Sequence, residues 1–167
     1  MLSWRELRVD HPFANGLLTE YFESRAAGFP VHQGTYRTTF PVPGDFVAPR
    51  GVFLVALDEN DESAENSDGS RHLGCGGIRL LEANGPAGPR FEVKHLYLRP
   101  VARGHGLGRA LLLELELRAR ELGAAELVLD TNAILEAAGS LYRSSGYSDI
   151  RAYNDNPNAT NWYRKVL

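Results

Sequence analysis

Residues 103–109 read Arg103, Gly104, His105, Gly106, Leu107, Gly108 and Arg109, just ahead of the strongest helical stretch of the chain. Three alternate glycines remove side chains where a ligand could approach the backbone. The free N–H groups of a helix's first turn, added to those of the loop, make a concave donor surface suited to phosphate oxygens. Two well-known phosphate loops do not fit. A P-loop ends in Gly-Lys-Ser/Thr, which is absent. The dinucleotide fingerprint also fails, because from Gly104 its third glycine position is Arg109 and from Gly106 it is Leu111. On the glycines alone, an anion site and a plain Gly-rich turn packed under a helix both stay open.

Other chemistry-bearing residues are sparse. His11, His32, His72, His95 and His105 are the five candidate bases. A strand histidine such as His95 is more often a satisfied structural group than a base, and His105 would contribute its backbone to the loop. Cys75 stands alone, with nothing to mark a paired His and Asn as a nucleophile requires. One cysteine and no histidine pair at ligand spacing argue against a metal. No G-x-S-x-G elbow is present.

The elements that must position these groups alternate between strand-like and helix-like patterns, as a layered α/β or α+β domain requires. Residues 4–10 read as a strand, then 13–27 as a helix stopped by Gly28 and Pro30. Residues 31–49 give mixed signals: a short helix, then Pro41, Pro43, Gly44 and Pro49. Residues 51–58 (GVFLVALD) are a buried strand and 72–81 a second, forming a hairpin. Gly74, Gly76 and Gly77 within the latter predict a bulge or a close backbone approach. Residues 91–98 alternate, with Phe91, Val93, His95 and Tyr97 on one face and Glu92, Lys94, Leu96 and Leu98 on the other. The helix over 107–122 presents Leu111, Leu115 and Leu122 to one side. It carries i,i+4 pairs Glu114–Arg118 and Glu116–Arg120. A strand at 126–130, a helix at 134–145 and two strands at 147–152 and 161–166 complete the chain.

The 167 residues suit one domain over 1–167, and 43% hydrophobic with 23% charged is ordinary for a globular protein. The longest apolar run is far too short to span a membrane. Met1 to Asp10 carries Arg5, Glu6 and Arg8, so no secretory signal is expected and a cytoplasmic location is. Net charge is −3, without a basic stripe, which argues against a nucleic-acid partner. Sixteen of the 18 bases are Arg, as GC-rich coding in a bacterial source would give. Asp58, Glu59, Asp61, Glu62, Glu65 and Asp68 form an acidic run read as a solvated loop.

Taken with its surroundings, the loop resembles the GNAT superfamily of N-acetyltransferases. The superfamily signature, Arg or Gln, two residues, Gly, one residue, Gly or Ala, opening a helix after a strand, is matched by Arg103, Gly106 and Gly108. Asn132, then Tyr142 ten residues on and Gly146-Tyr147, resembles a second family pattern. The resemblance implies a mixed, mostly antiparallel sheet of about six to seven strands flanked by about four helices. It implies acetyl-CoA as co-substrate, held by Arg103, Gly104, His105, Gly106, Leu107, Gly108, Arg109, Asn132 and Tyr142. A bulge near Leu96, Tyr97 and Leu98 would aim a backbone N–H at the thioester carbonyl. Tyr142 would give a proton to the leaving thiolate, and Glu92, eleven residues before Arg103, would act as general base through a water. No metal is implied, and a homodimer is common in the superfamily. The acceptor reads as a small-molecule primary amine attacking directly. A protein or peptide acceptor and a catalytically silent acetyl-CoA-binding module stand as alternatives.

Overall fold

The structure, a computed structural model, describes residues 1–59 and 71–167. Seven strands form one sheet: β1 (Leu2–Glu6), β2 (Gly51–Asp58), β3 (Arg71–Leu80), β4 (Arg90–Leu98), β5 (Glu126–Thr131), β6 (Ser148–Ile150) and β7 (Asn161–Val166). Their order is β1-β2-β3-β4-β5-β7-β6, and only β4 and β5 run parallel. Three helices accompany them, α1 (Pro12–Ala27), α2 (Leu107–Glu121) and α3 (Glu136–Ser144). A parallel pair needs a crossover, and α2 makes it between β4 and β5.

The helices number three, one fewer than the resemblance implies. Pro30, Gly34, Pro41 and Pro43 leave room only for two short 3-10 turns, Val31–Gln33 and Pro43–Phe46. The first strand also ends earlier than expected. Arg8 and Asp10 form a side-chain ion pair at 2.9 Å across a turn that leads into α1. His11 then caps that helix, its Nδ1 accepting from the Phe13 N–H at 3.3 Å. Of the acidic run, Asp58 meets the amino terminus of Met1 at 2.6 Å. Asp61, Glu62, Glu65 and Asp68 lie outside the described residues.

Both faces of the sheet are covered, which is why β2 is apolar throughout. Val52 and Leu54 join Leu111, Leu112 and Leu115 of α2. Phe53, Val55 and Leu57 join Leu17, Leu18 and Phe22 of α1. The glycines of β3 do provide close approach: a Cβ on Gly77 would lie 2.7 Å from the Phe46 ring and 2.9 Å from Phe53. Glu116 departs from its expected i,i+4 partner. It is buried, and Lys165 of β7 donates to it at 2.7 Å, because its turn of α2 faces the sheet.

One buried carboxylate holds the far end of the sheet. Glu126 is 0% exposed and accepts from Arg90 Nε at 2.7 Å, Arg164 Nε at 2.8 Å and the Ala87 N–H at 3.2 Å. Burial alone would raise its carboxyl; the bonds from Arg90 and Arg164 outweigh that and hold it below 4.5. A depressed folded value means the stabilisation is complete above the ordinary carboxylate range and is lost as pH falls through the folded value. Glu126→Gln should therefore cost about 3 kcal/mol at pH 7, the low end for breaking a buried pair because both arginines keep some solvent. Urea unfolding at pH 7 and pH 3 checks this. The gap to wild type should narrow at the lower pH, and an unchanged gap would refute the assignment.

Candidate active site

The period-2 reading of β4 breaks at His95. Its φ is +58°, a strained conformation for a residue with a side chain. The β3–β4 register shifts there, from Gly77 opposite Lys94 to Cys75 opposite Tyr97. The extra residue flips every side chain after it. Phe91 and Val93 therefore share the α2 side with Leu96 and Leu98, while Tyr97 turns to the α1 side. Tyr97 is thus not on the face of Phe91 and Val93. Glu92 likewise does not share a face with Leu96 and Leu98. Leu96 and Leu98 pack against the core, partly buried, and Leu96 also lines the cavity described below.

On its other edge β4 pairs with β5 at three positions alone, ending with Glu92 opposite Val128. Beyond that the strands part. A cavity of about 470 Å³ covers the opening. Its walls are the last turns of α1 (Tyr21, Phe22, Arg25), residues 28–46, β4 from Val93 to Leu96, the end of β5, Tyr142 of α3 and residues 154–159. Residues 28–46 form a roof that is tied down. Asn158 accepts from the Arg37 N–H at 2.9 Å and donates to the Arg37 carbonyl at 2.8 Å. Asn132 donates to Gln33 Oε1 at 2.7 Å.

The glycine loop leads into α2, and Gly108 packs near Leu141, the neighbour of Tyr142. Gly104 and Gly106 have φ of +82° and +77°, and a Cβ on either would meet, among the described residues, no atom beyond its chain neighbours within 4 Å. Open space therefore fronts the loop. Gly104, His105 and Gly106 are exposed and Leu107 is in the core. The two arginines are held by the protein. Arg103 Nε donates to the Leu98 carbonyl at 3.0 Å, and Arg109 donates to Ser144 Oγ at 2.7 Å. The loop thus exposes the backbone at Gly104 and Gly106, beside the exposed side chains of Arg103, His105 and Arg109.

Tyr142 lines the cavity and is packed between Tyr147 and Tyr163, each at 6.0 Å between ring centroids. Burial raises its phenol well above the usual 10. Asn132 also lines the cavity, but its amide is engaged: it donates to Gln33 and to the Asn158 carbonyl at 3.1 Å and accepts from the Ile134 N–H at 3.1 Å.

Glu92 is not brought to the cavity. It is 0% exposed and sits one layer behind the wall. Arg79 Nε donates to Oε2 at 2.8 Å, and Oε1 accepts from the Tyr153 hydroxyl at 2.8 Å and faces Lys94 Nζ at 3.2 Å. The wall itself carries Lys94 and Asp130, whose ammonium and carboxylate lie 3.1 Å apart. Burial would raise the Asp130 carboxyl, but the Lys94 charge and a bond from Asn154 at 2.7 Å hold it below the usual range. Burial depresses Lys94, and Glu92 and Asp130 more than offset that. His95 also faces the cavity, with its Nδ1 buried and without a partner among the described residues. Burial first, then the Lys94 and Arg79 charges, push it down to about 3, so it stays neutral and is too weak a base for an ammonium at pH 7. The Cys75 thiol donates to the His95 carbonyl at 3.6 Å, and burial raises it far beyond a nucleophile's range.

A family model described as "Acetyltransferase (GNAT) family" matches residues 15–147. The chain belongs to the GNAT family. Among its GNAT relatives is an uncharacterized N-acetyltransferase of Schizosaccharomyces pombe, 36% identical over 109 residues, covering 65% of this chain and 59% of that protein. An IAA acetyltransferase of Azospirillum brasilense is 38% identical over 77 residues, 46% of this chain and 48% of that one. The aligned part thus spans about half the length of these curated relatives. A GNAT-family acetyltransferase of Staphylococcus aureus superposes over 100% of this chain and 99% of its own, with a TM-score of 0.73 and 14% identity. The acetyl-CoA complex of Arabidopsis thaliana NAA60 gives 0.66 at 16% identity, over 100% and 98%. These structures share the GNAT fold. No helix of the described residues is long and apolar enough to cross a membrane.

Sequence reasoning missed the polar half of the GNAT cavity. Lys94, Asp130 and the loop carrying Asn154 and Asn158 are distant in sequence and come together only at this cavity. The alternation of Asn154, Asn156 and Asn158 is the one signal that could have disclosed it. The first two side chains accept from the N–H two residues on, at 3.3 and 3.0 Å, which builds a rigid loop from short polar residues.

Proposed function

We propose that this chain transfers an acetyl group from acetyl-CoA directly to the primary amine of a small molecule. The observation that carries the reading is the cavity over the β4–β5 opening with Tyr142 at its wall, together with a glycine loop whose Gly108 packs near Leu141, the residue before Tyr142. Backbone N–H groups of residues 104–109 take the coenzyme's pyrophosphate, the Arg103 N–H being bonded to the Pro100 carbonyl at 3.2 Å. A backbone N–H of β4 beyond the bulge, among Leu96, Tyr97 and Leu98, stabilises the oxyanion as the amine adds to the thioester carbonyl. The carbon–sulfur bond then breaks, and Tyr142 protonates the departing thiolate. The roof that Asn158 ties over the cavity favours a small acceptor over a peptide chain. Thiol release from acetyl-CoA over a panel of small amines and peptides tests this. Release with peptides alone would overturn the acceptor class, and release with none would leave a binding module.

Glu92 enters this scheme as a positioning residue: it holds Lys94 and Arg79, and the amine proton leaves through groups on the cavity wall or water. Glu92→Gln should lower the melting temperature and reduce kcat by a factor that stays constant from pH 7 to 9.5. A general base would behave differently, since its loss matters less as more amine arrives deprotonated. A deficit that shrinks with rising pH would return Glu92 to the role of base.

A further inference from the structure

We propose that the acceptor is an amine that also carries a carboxylate, attached to an apolar body, with its anionic end at Arg25 and Arg37 and its amine toward Asp130. This deepens the acetyl-transfer reading and rests on it. The charge of the cavity is the starting observation. Arg25, Arg37, Arg79 and Lys94 line it, against Asp130 as the sole acid among the described lining residues. The chain as a whole carries −3, so this surplus of positive charge is local.

Two of the four cations are already matched. Arg79 pairs with Glu92 at 2.8 Å and Asp45 at 3.9 Å, and Lys94 pairs with Asp130 and Glu92. Arg25 and Arg37 take part in no ion pair among the described residues. Arg25 is half-buried, with its guanidinium 5.3 Å from the Tyr21 ring centroid. Arg37 is exposed, yet Asn158 clasps its backbone from both sides, which fixes where its side chain starts. Arg25 also sits in the last turn of α1, where a cation suits the helix dipole. That explains one arginine on the helix. It does not explain a second, from the roof, at the same cavity.

A guanidinium fork matches a carboxylate in geometry as well as charge. Phe22 and Phe40, 4.9 Å apart, and Phe29, which also lines the cavity, offer an apolar seat for the body. Polyamines and aminoglycosides are disfavoured, because two or more ammonium groups would face the unmatched arginines.

Matched amines test the proposal. Calorimetry would compare L-phenylalanine with phenethylamine, and 4-(aminomethyl)benzoate with benzylamine, so that each pair differs only in the carboxylate. In at least one pair the carboxylate should tighten binding about 10–100-fold, the range for a hydrogen bond to a charged group. In the Arg25→Ala, Arg37→Ala double variant that ratio should fall to near one. Equal binding within both pairs, no binding of any of the four, or a ratio that survives in the double variant would overturn the proposal. Acetyl-CoA binding is measured separately. Its absence would defeat the acetyl-transfer reading while the acceptor ratios still decide the carboxylate.

Discussion

Gly106→Val should reduce acetyl-CoA affinity by about 100-fold or more while the protein remains folded. Two effects act together. At φ +77° a β-branched residue is strained, by roughly 1–2 kcal/mol for the left-handed region. That is small beside the about 5–15 kcal/mol of a typical domain, so folding persists. The second effect is steric but external. Among the described residues, no atom beyond the chain neighbours lies within 4 Å of a Cβ at this position, so the new side chain projects outward before the loop. That is where backbone N–H groups have to reach phosphate oxygens at about 2.9 Å, and a valine methyl cannot share it. Gly108→Ala supplies the contrast. Its Cβ would meet Leu141 at 3.5 Å and Leu98 at 3.6 Å, ordinary contacts, and its backbone φ is not positive. It should bind acetyl-CoA nearly as wild type does. Calorimetry on the two folded variants decides the matter, and wild-type affinity in Gly106→Val would remove the loop from the coenzyme site.

Tyr142→Phe should lower kcat by about 10²-fold, the low end for general acid catalysis, with little change in coenzyme affinity or melting temperature. The ring keeps its packing between Tyr147 and Tyr163, and the hydroxyl has no protein partner among the described residues to lose. Burial raises the phenol, so it remains protonated and able to donate throughout the neutral and alkaline assay range. The same burial desolvates the thiolate it serves, making that thiolate a stronger base and keeping the transfer favourable. Steady-state kinetics with a chemistry-limited acceptor is the measurement. An unchanged kcat would mean that water supplies the proton.

How much of this was legible beforehand depends on the range of the interaction involved. β2 is found at the expected residues because an unbroken apolar run of seven, ended by Asp58, leaves no other economical reading. α2 begins at Leu107 as expected, since Gly106 in a left-handed conformation and the leucine periodicity are both local signals. The place of the glycine loop ahead of α2 and of Tyr142 within α3 was likewise legible, from local helix signals. The face assignments in β4 were not. Alternation over 91–98 is self-consistent as a regular strand, and only the shifted pairing with β3 shows that one residue is extra.

Glu92 illustrates the limit most clearly. Its spacing from Arg103 put it on the right strand at a plausible depth. Whether a carboxylate there meets substrate or supports the wall depends on Arg79 of β3 and Tyr153 of the last loop, 13 and 61 residues away in sequence. Residues 28–46 are a parallel case, since proline and glycine announce irregular chain without saying what it covers. By itself the sequence determined the run of elements and the glycine loop that opens α2, because each follows from backbone preference and short-range periodicity. Tertiary structure alone decided the bulge at His95, the retreat of Glu92 behind Lys94, the Lys94–Asp130 pair and the roof held by Asn158. Those depend on strand register and on which distant side chains the folded sheet brings within hydrogen-bonding distance.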